Sequence, residues 1–139
     1  MNLLSRREHG RAELCRKLLL KEHPREEIEA ALDRLEELGL LDDERAAHSL
    51  ARYWATQRRH GPLKIRNSLR EKGFPSWLVE RAIEAIEVDW AEHARALGAS
   101  RGLDLDEDKQ RQKLLRFLAG RGYPMGLAVQ ALESLREES

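Results

Sequence analysis

Apolar residues recur along this chain at steps of three, four and seven, and one bend interrupts that pattern three times. When residues 11–35, 62–86 and 111–135 are laid above one another, they run without a gap and the columns agree. Before the bend stand Leu14, Ile65 and Leu114, then Leu18, Leu69 and Leu118; at the bend stand Pro24, Pro75 and Pro124. After it come Ile28, Val79 and Ala128, then Ala31, Ala82 and Ala131, Leu32, Ile83 and Leu132, and Leu35, Ile86 and Leu135. Amphipathic helices share a spacing by default, but a proline in register three times marks internal repetition.

The columns predict two helices with one buried stripe each, joined at the bend. Gly73 and Gly122 stand where a helix ends in a left-handed residue, and Pro75 and Pro124 lie at or next to the first turn of the helix that follows. The first copy has Glu22 at the glycine position, so its bend is expected to be strained or differently shaped. A further helix precedes each pair. For the second copy it covers residues 42–60, capped by Asp42 or Asp43 and stopped by Gly61-Pro62; for the third it starts near Val88. For the first copy only a stub, residues 3–9, is expected. The fold class is therefore all-α: three tandem three-helix repeats over 1–41, 42–87 and 88–139, the first truncated at its N-terminus.

Charge follows the same unit. The second helices carry four basic residues each against one, one and no acidic residue, while the third helices carry six, four and three acidic residues against two, one and one basic. The total is neutral, 25 Lys and Arg against 25 Asp and Glu, so attraction to a polyanion must be local. One reading of the striping is solvated faces with weak ion pairs. The other is a basic ridge offered to a polyanion or an acidic groove, densest at Arg58, Arg59, Lys64, Arg66, Arg70 and Lys72.

Catalytic and metal chemistry finds no pattern here. The five histidines never fall three or four apart, Cys15 has no partner cysteine, and no phosphate-cradling loop or nucleophile elbow occurs. No enzyme, cofactor or metal is expected. His9 and His60, each before a glycine, read as helix C-terminal capping residues, and Trp54, Trp77 and Trp90 read as packing residues between thin layers. With one cysteine and no apolar run of membrane length, the expected home is the cytosol.

The stretches "LLSRREHGRAELCRKL", "LDRLEELGLLDDERAA", "RRHGPLKIRNSLREKGF", "DWAEHA" and "LLRFLAGRGYP", in this order and spacing, resemble the RecX family of bacterial recombinase regulators over nearly the whole chain. The resemblance implies an elongated, curved helical array that binds in the groove of the RecA–DNA filament. It also implies restraint of strand exchange, ATP turnover and co-protease function, in recombinational repair and the SOS response. The RecA filament is thus the expected partner of a monomeric protein, with possible contact to the DNA backbone. Family positions fall on Arg7, Glu8, His9, Glu13, Leu14, Leu18, Leu38, Asp42, Asp43, Arg45, Gly61, Ile65, Leu69, Lys72 and Gly73. The expected contact residues are Arg45, Arg58, Arg59, Lys64, Arg66, Arg70 and Lys72. Two departures stand out: Ala46 replaces the aromatic usual after the Asp-Asp-x-Arg run, with Trp54 expected to fill the space, and the usual N-terminal lead is shorter. An alternative from another class is direct duplex binding by helix-turn-helix-like bends. The acidic helix after each bend would oppose phosphate.

Overall fold

The computed structural model describes residues 9–138, and every regular element among them is an α-helix. Eight are present: α1 (Arg11–Leu20), α2 (Arg25–Glu37), α3 (Asp43–Thr56), α4 (Pro62–Glu71), α5 (Ser76–Glu84), α6 (Trp90–Ala99), α7 (Asp108–Gly120) and α8 (Met125–Glu137). The stub expected at residues 3–9 lies outside the described residues except for His9, as do the family positions Arg7 and Glu8. None of the helices is long and apolar enough to cross a membrane.

The repeated bend is one hydrogen-bonded motif made three times. The N–H groups of His23, Phe74 and Tyr123 donate to the carbonyls of Leu18, Leu69 and Leu118, and those of Glu22, Gly73 and Gly122 to Leu19, Arg70 and Ala119. This is the double closure of a helix end that requires a left-handed residue at its centre. Gly73 has φ 92° and Gly122 φ 97°. Glu22 is forced into the same region, φ 63°, so the first bend keeps the shape of the other two and carries the strain instead. Each proline then caps the next helix, its carbonyl accepting from Ile28, Val79 or Ala128 four residues on. Replacing Glu22 with glycine should therefore stabilise the protein by about 0.5–1 kcal/mol, the relief of a left-handed side chain less the added freedom of the unfolded chain. Chemical denaturation measures it.

The described residues form two compact units, one up to Tyr53 together with Arg66–Ile86, the other Trp54–Ile65 together with those from Glu87 onward. The boundaries fall inside α3 and inside α4, so neither unit coincides with one repeat.

In the first unit α2 packs on α1 through Ile28 and Leu32, with Leu41 beside them and Leu14, Cys15, Leu18 and Leu35 half-covered around them. Arg11 locks this pair from outside. Its guanidinium donates to Glu29, Asp33 and Glu36, and these hydrogen bonds hold it firmly charged. The cap of α3 divides the work between two aspartates: Asp42 accepts from its own third residue, Arg45, at 3.1 Å, while Asp43 reaches across to accept the Arg11 N–H at 2.8 Å. Leu69, Val79, Ala82 and Ile83 are buried as the columns require, and Phe74 and Leu78, which the columns do not include, are buried with them. The first copy departs from its columns, with Leu14 and Leu18 only half-buried and Ala31 exposed.

The second unit is built on α6, α7 and α8. Ala94 and Leu97 of α6 lie on Ala128, Ala131 and Leu132 of α8 and on Leu114 and Leu118 of α7, with Tyr123 closing the cluster. Asp89 caps α6 by accepting from Glu92 N–H. Trp90 packs against this core, edge-on to Tyr123, as expected of a packing residue. Trp77 in the first unit does not meet that expectation. It is 57% exposed, and Arg81 stacks over its ring at 5.5 Å, because it sits on the outward side of the first turn of α5.

Candidate interaction surface

The seven basic residues singled out by sequence are divided between the units and differ in what they do. Arg45, Arg66, Arg70 and Lys72 belong to the first unit; Arg58, Arg59 and Lys64 belong to the second. Arg66 forms a two-bond pair with Glu80, at 2.7 and 2.9 Å, which lowers the Glu80 carboxyl below its usual range. This pair joins a basic second helix to its acidic third helix, and part of the charge striping is accordingly structural. Arg45 is engaged as well, donating to the Gly39 carbonyl at 3.3 Å. Arg70 is exposed.

Lys72 lies in a joint that periodicity did not reveal. Next to it, Gly73 approaches Ala12 so closely that a Cβ on the glycine would stand 2.6 Å from the Ala12 Cβ, and a Cβ on Gly10 would likewise stand 2.6 Å from the Phe74 ring. Lys72 Nζ crosses this joint to Glu13 at 2.7 Å, and His9 Nδ1 meets the other oxygen of Glu13 at 2.8 Å. Burial raises the Glu13 pKa, but the bonds to Lys72 and His9 outweigh it and hold the carboxyl below its ordinary 4.5. The histidine ring expected to cap carbonyls is thus tied to a carboxylate instead.

The second unit contains the same joint made from the equivalent residues. Gly61 N–H donates to Arg121 O at 2.7 Å, Leu63 N–H to Gly122 O at 2.9 Å, and Tyr123 Oη to Arg59 O at 3.1 Å. A Cβ on Gly61 would stand 2.5 Å from the Gly122 carbonyl, and one on Gly122 would stand 2.4 Å from the Lys64 Cβ. Two glycines are therefore needed for the backbones to touch. In the repeat alignment Lys64 takes the place of Glu13 and Arg121 that of Lys72. The pair that neutralises the first joint becomes two like charges in the second.

Arg58 and Arg59 add to that charge from the turn after α3, where Arg59 sits at φ 55° and the His60 N–H caps the helix on Trp54 O. His60 lies among them. Burial, with Lys64, Arg121 and Arg58 contributing, pushes it down to about 4, so the ring is neutral at physiological pH. Its Nδ1 is buried without a hydrogen-bond partner, and no ion pair forms at Arg58, Arg59, Lys64 or Arg121 among the described residues. The sequence pointed to three of these cations, and the structure adds Arg121 and His60. The available signal was the doubled His-Gly step, His9-Gly10 and His60-Gly61, at one offset in two repeats.

Loss of the Lys72 bond should expose the cost of burying Glu13. Lys72→Met is expected to destabilise the first unit by about 1–2 kcal/mol at neutral pH. In the wild-type protein the lowered Glu13 pKa contributes stability that is present above 4.5 and lost as pH falls through the folded value. In the variant His9 alone opposes the burial that raises the Glu13 pKa, so this dependence should shrink. Urea titrations across acid pH check both.

Family models for the first, second and third three-helix domains of RecX match residues 1–35, 42–83 and 88–132. The chain belongs to the RecX family. It is 41% identical over 130 residues to "Regulatory protein RecX" of Pseudomonas savastanoi pv. phaseolicola, covering 91% of this chain and 83% of that protein. It is 40% identical over 134 residues to the protein of the same name from Pseudomonas fluorescens, covering 95% and 86%. A crystal structure of regulatory protein RecX superposes with a TM-score of 0.73 at 25% identity over 86% of this chain, which spans 61% of that longer chain. RecX from Lactobacillus salivarius superposes with a TM-score of 0.77 over 92% of this chain and shares the fold at 21% identity. The all-α tandem-repeat fold expected from the columns is thus the RecX fold. Both joints join RecX domains, since Gly10 and Gly61 fall in the first two matched segments and Gly73 and Gly122 in the second and third.

Proposed function

We propose that this RecX-family protein is a non-enzymatic regulator of a RecA-type recombinase, binding in the groove of the RecA–DNA filament and restraining strand exchange and ATP turnover. Family membership carries the reading, supported by relatives named as regulatory proteins at about 40% identity over most of their length. The repeated build suits a repeating partner. Several weak contacts, each made by one copy of a unit on successive similar surfaces, sum to a useful affinity when they are linked in one chain. Restraint follows if the bound protein favours a filament state that releases DNA or blocks approach of the duplex. The contact residues proposed are Arg45, Arg58, Arg59, Lys64 and Arg70, with Arg66 and Lys72 held back by Glu80 and Glu13. Repeats bounded at 1–41, 42–87 and 88–139, a monomeric state and a cytosolic setting in DNA repair belong to the same proposal.

Direct duplex reading by the bends is disfavoured by the helices after them. Glu26, Glu27, Glu80 and Glu84 stand on those helices, where phosphate would have to lie. The test is an assay of RecA ATPase and DNA strand exchange with a stoichiometric excess of this protein. Both rates should fall severalfold, and unchanged rates would exclude the reading.

A further inference from the structure

We propose that the joint of the second unit is a phosphate-binding site for a nucleic acid strand, with Arg58, Arg59, Lys64 and Arg121 supplying the charge and His60 at its centre. The proposal takes its setting, a nucleoprotein filament, from the reading above, but it concerns DNA alone and is tested without RecA.

The two joints of the molecule provide the comparison. They share their glycines, their backbone approach and their bend, and they differ in electrostatics. In the first, Glu13 and Lys72 satisfy one another at 2.7 Å. In the second, the equivalent positions are Lys64 and Arg121, and the turn adds Arg58 and Arg59. Every charged group that acts on His60 is a cation: Lys64 from α4, Arg58 from the turn after α3, Arg121 from the bend before α8. Three chain segments thus bring positive charge to one place with no carboxylate paired there among the described residues.

Holding like charges together opposes folding, and the structure fixes them firmly. Gly61 and Leu63 clasp the carbonyls of Arg121 and Gly122, Tyr123 Oη binds the Arg59 carbonyl, and Arg59 is kept at φ 55°. Strain that is over-determined by its surroundings is characteristic of functional sites. His60 Nδ1, buried without a partner as His93 Nδ1 is in α6, is a further polar group at this joint lacking a counterpart.

A single carboxylate would neutralise one of these cations, as Glu13 does for Lys72. A sugar-phosphate backbone brings consecutive anions, and guanidinium groups match phosphate oxygens in two-bond geometry. Such contacts are indifferent to base sequence and fall steeply with salt. Bound phosphate would also offset the field on His60 and raise its pKa, so binding draws in a proton and tightens as pH falls towards the histidine range.

The experiment is fluorescence anisotropy of a labelled single-stranded DNA of about 20 nucleotides, titrated with the full chain in the absence of RecA at about 50 mM salt. Binding should weaken with salt with a log–log slope of about −2 to −3, as expected for three or four phosphates on a single strand. Lys64→Glu restores the charge found at Glu13 and should weaken binding at least tenfold, while Arg25→Glu on the first unit leaves it unchanged. Lys64→Gln and Arg58→Gln, milder changes that keep the protein folded even if the reversal does not, should each reduce the slope by about 0.7. The His60 ring, followed by NMR, should titrate at higher pH with DNA than without. Unchanged affinity in the folded Gln variants overturns the proposal. So does competition by polyglutamate as effective as by DNA, which would make the patch a docking point for acidic protein. Failure of the wild-type chain to bind DNA, with its RecA regulation intact, removes this site and leaves the regulator; DNA binding by the wild-type chain with RecA unaffected does the reverse.

Discussion

Gly122→Ala destabilises the protein by about 3–4 kcal/mol and lowers its Tm by roughly 10 °C, the largest effect expected of any single methyl group here. Two penalties meet at this residue. Its φ of 97° costs any side chain on the order of 1–2 kcal/mol. The added Cβ would also stand 2.4 Å from Lys64 Cβ and 2.6 Å from Lys64 N, so α4 must withdraw from the bend and stretch the Leu63 bond to the Gly122 carbonyl. Gly61→Ala shares only the clash, against the Gly122 carbonyl, and is expected to cost less, about 1–3 kcal/mol. Gly126 provides the control. Nothing lies within 4 Å of its Cβ position, and alanine there favours the helix, so Gly126→Ala should be neutral or stabilising by up to about 1 kcal/mol. Differential scanning calorimetry of the three variants ranks them directly.

Simultaneous replacement of Arg58, Arg59 and Lys64 by glutamate should abolish restraint of RecA without unfolding the chain. None of the three is in an ion pair among the described residues, and removing mutually repelling cations relaxes the joint. The half-inhibiting concentration in the strand-exchange assay should rise at least tenfold, about 1.4 kcal/mol or more of lost binding. The same reversal at Arg66 and Lys72 behaves differently, because each already holds a carboxylate, Glu80 or Glu13. Those variants should lose stability first, and activity only in proportion to the folded protein remaining. Melting curves beside the activity assay separate the two cases.

The difference between these groups shows what the chain reveals as a string. The bends were legible because their chemistry is local: Gly73 and Pro75, and Gly122 and Pro124, stand two residues apart and state their conformations themselves. The strain at Glu22 followed from the same columns. The helix ends were less so. α3 stops at Thr56 rather than near His60, because Arg59 takes a left-handed turn that nothing in its composition announces.

The joints were not legible, since Gly61 and Gly122 are far apart in sequence and periodicity carries no information on pairing. A count of charge placed Lys72 and Lys64 in one ridge. Only the structure shows that one is paired with Glu13 while the other stands against Gly122 in an equivalent joint with no carboxylate paired to it among the described residues. Trp77 fails for a related reason: an aromatic on a helix of nine residues looks like core until the face it occupies is seen to be outward.

The most direct measurement is binding of the protein to a preformed RecA–DNA filament, compared with bare duplex, across a range of salt. A regulator built from repeated units should bind the filament tightly and bare DNA weakly with a steep salt dependence. Equal affinity for filament and duplex, or no filament binding at low salt, would contradict it.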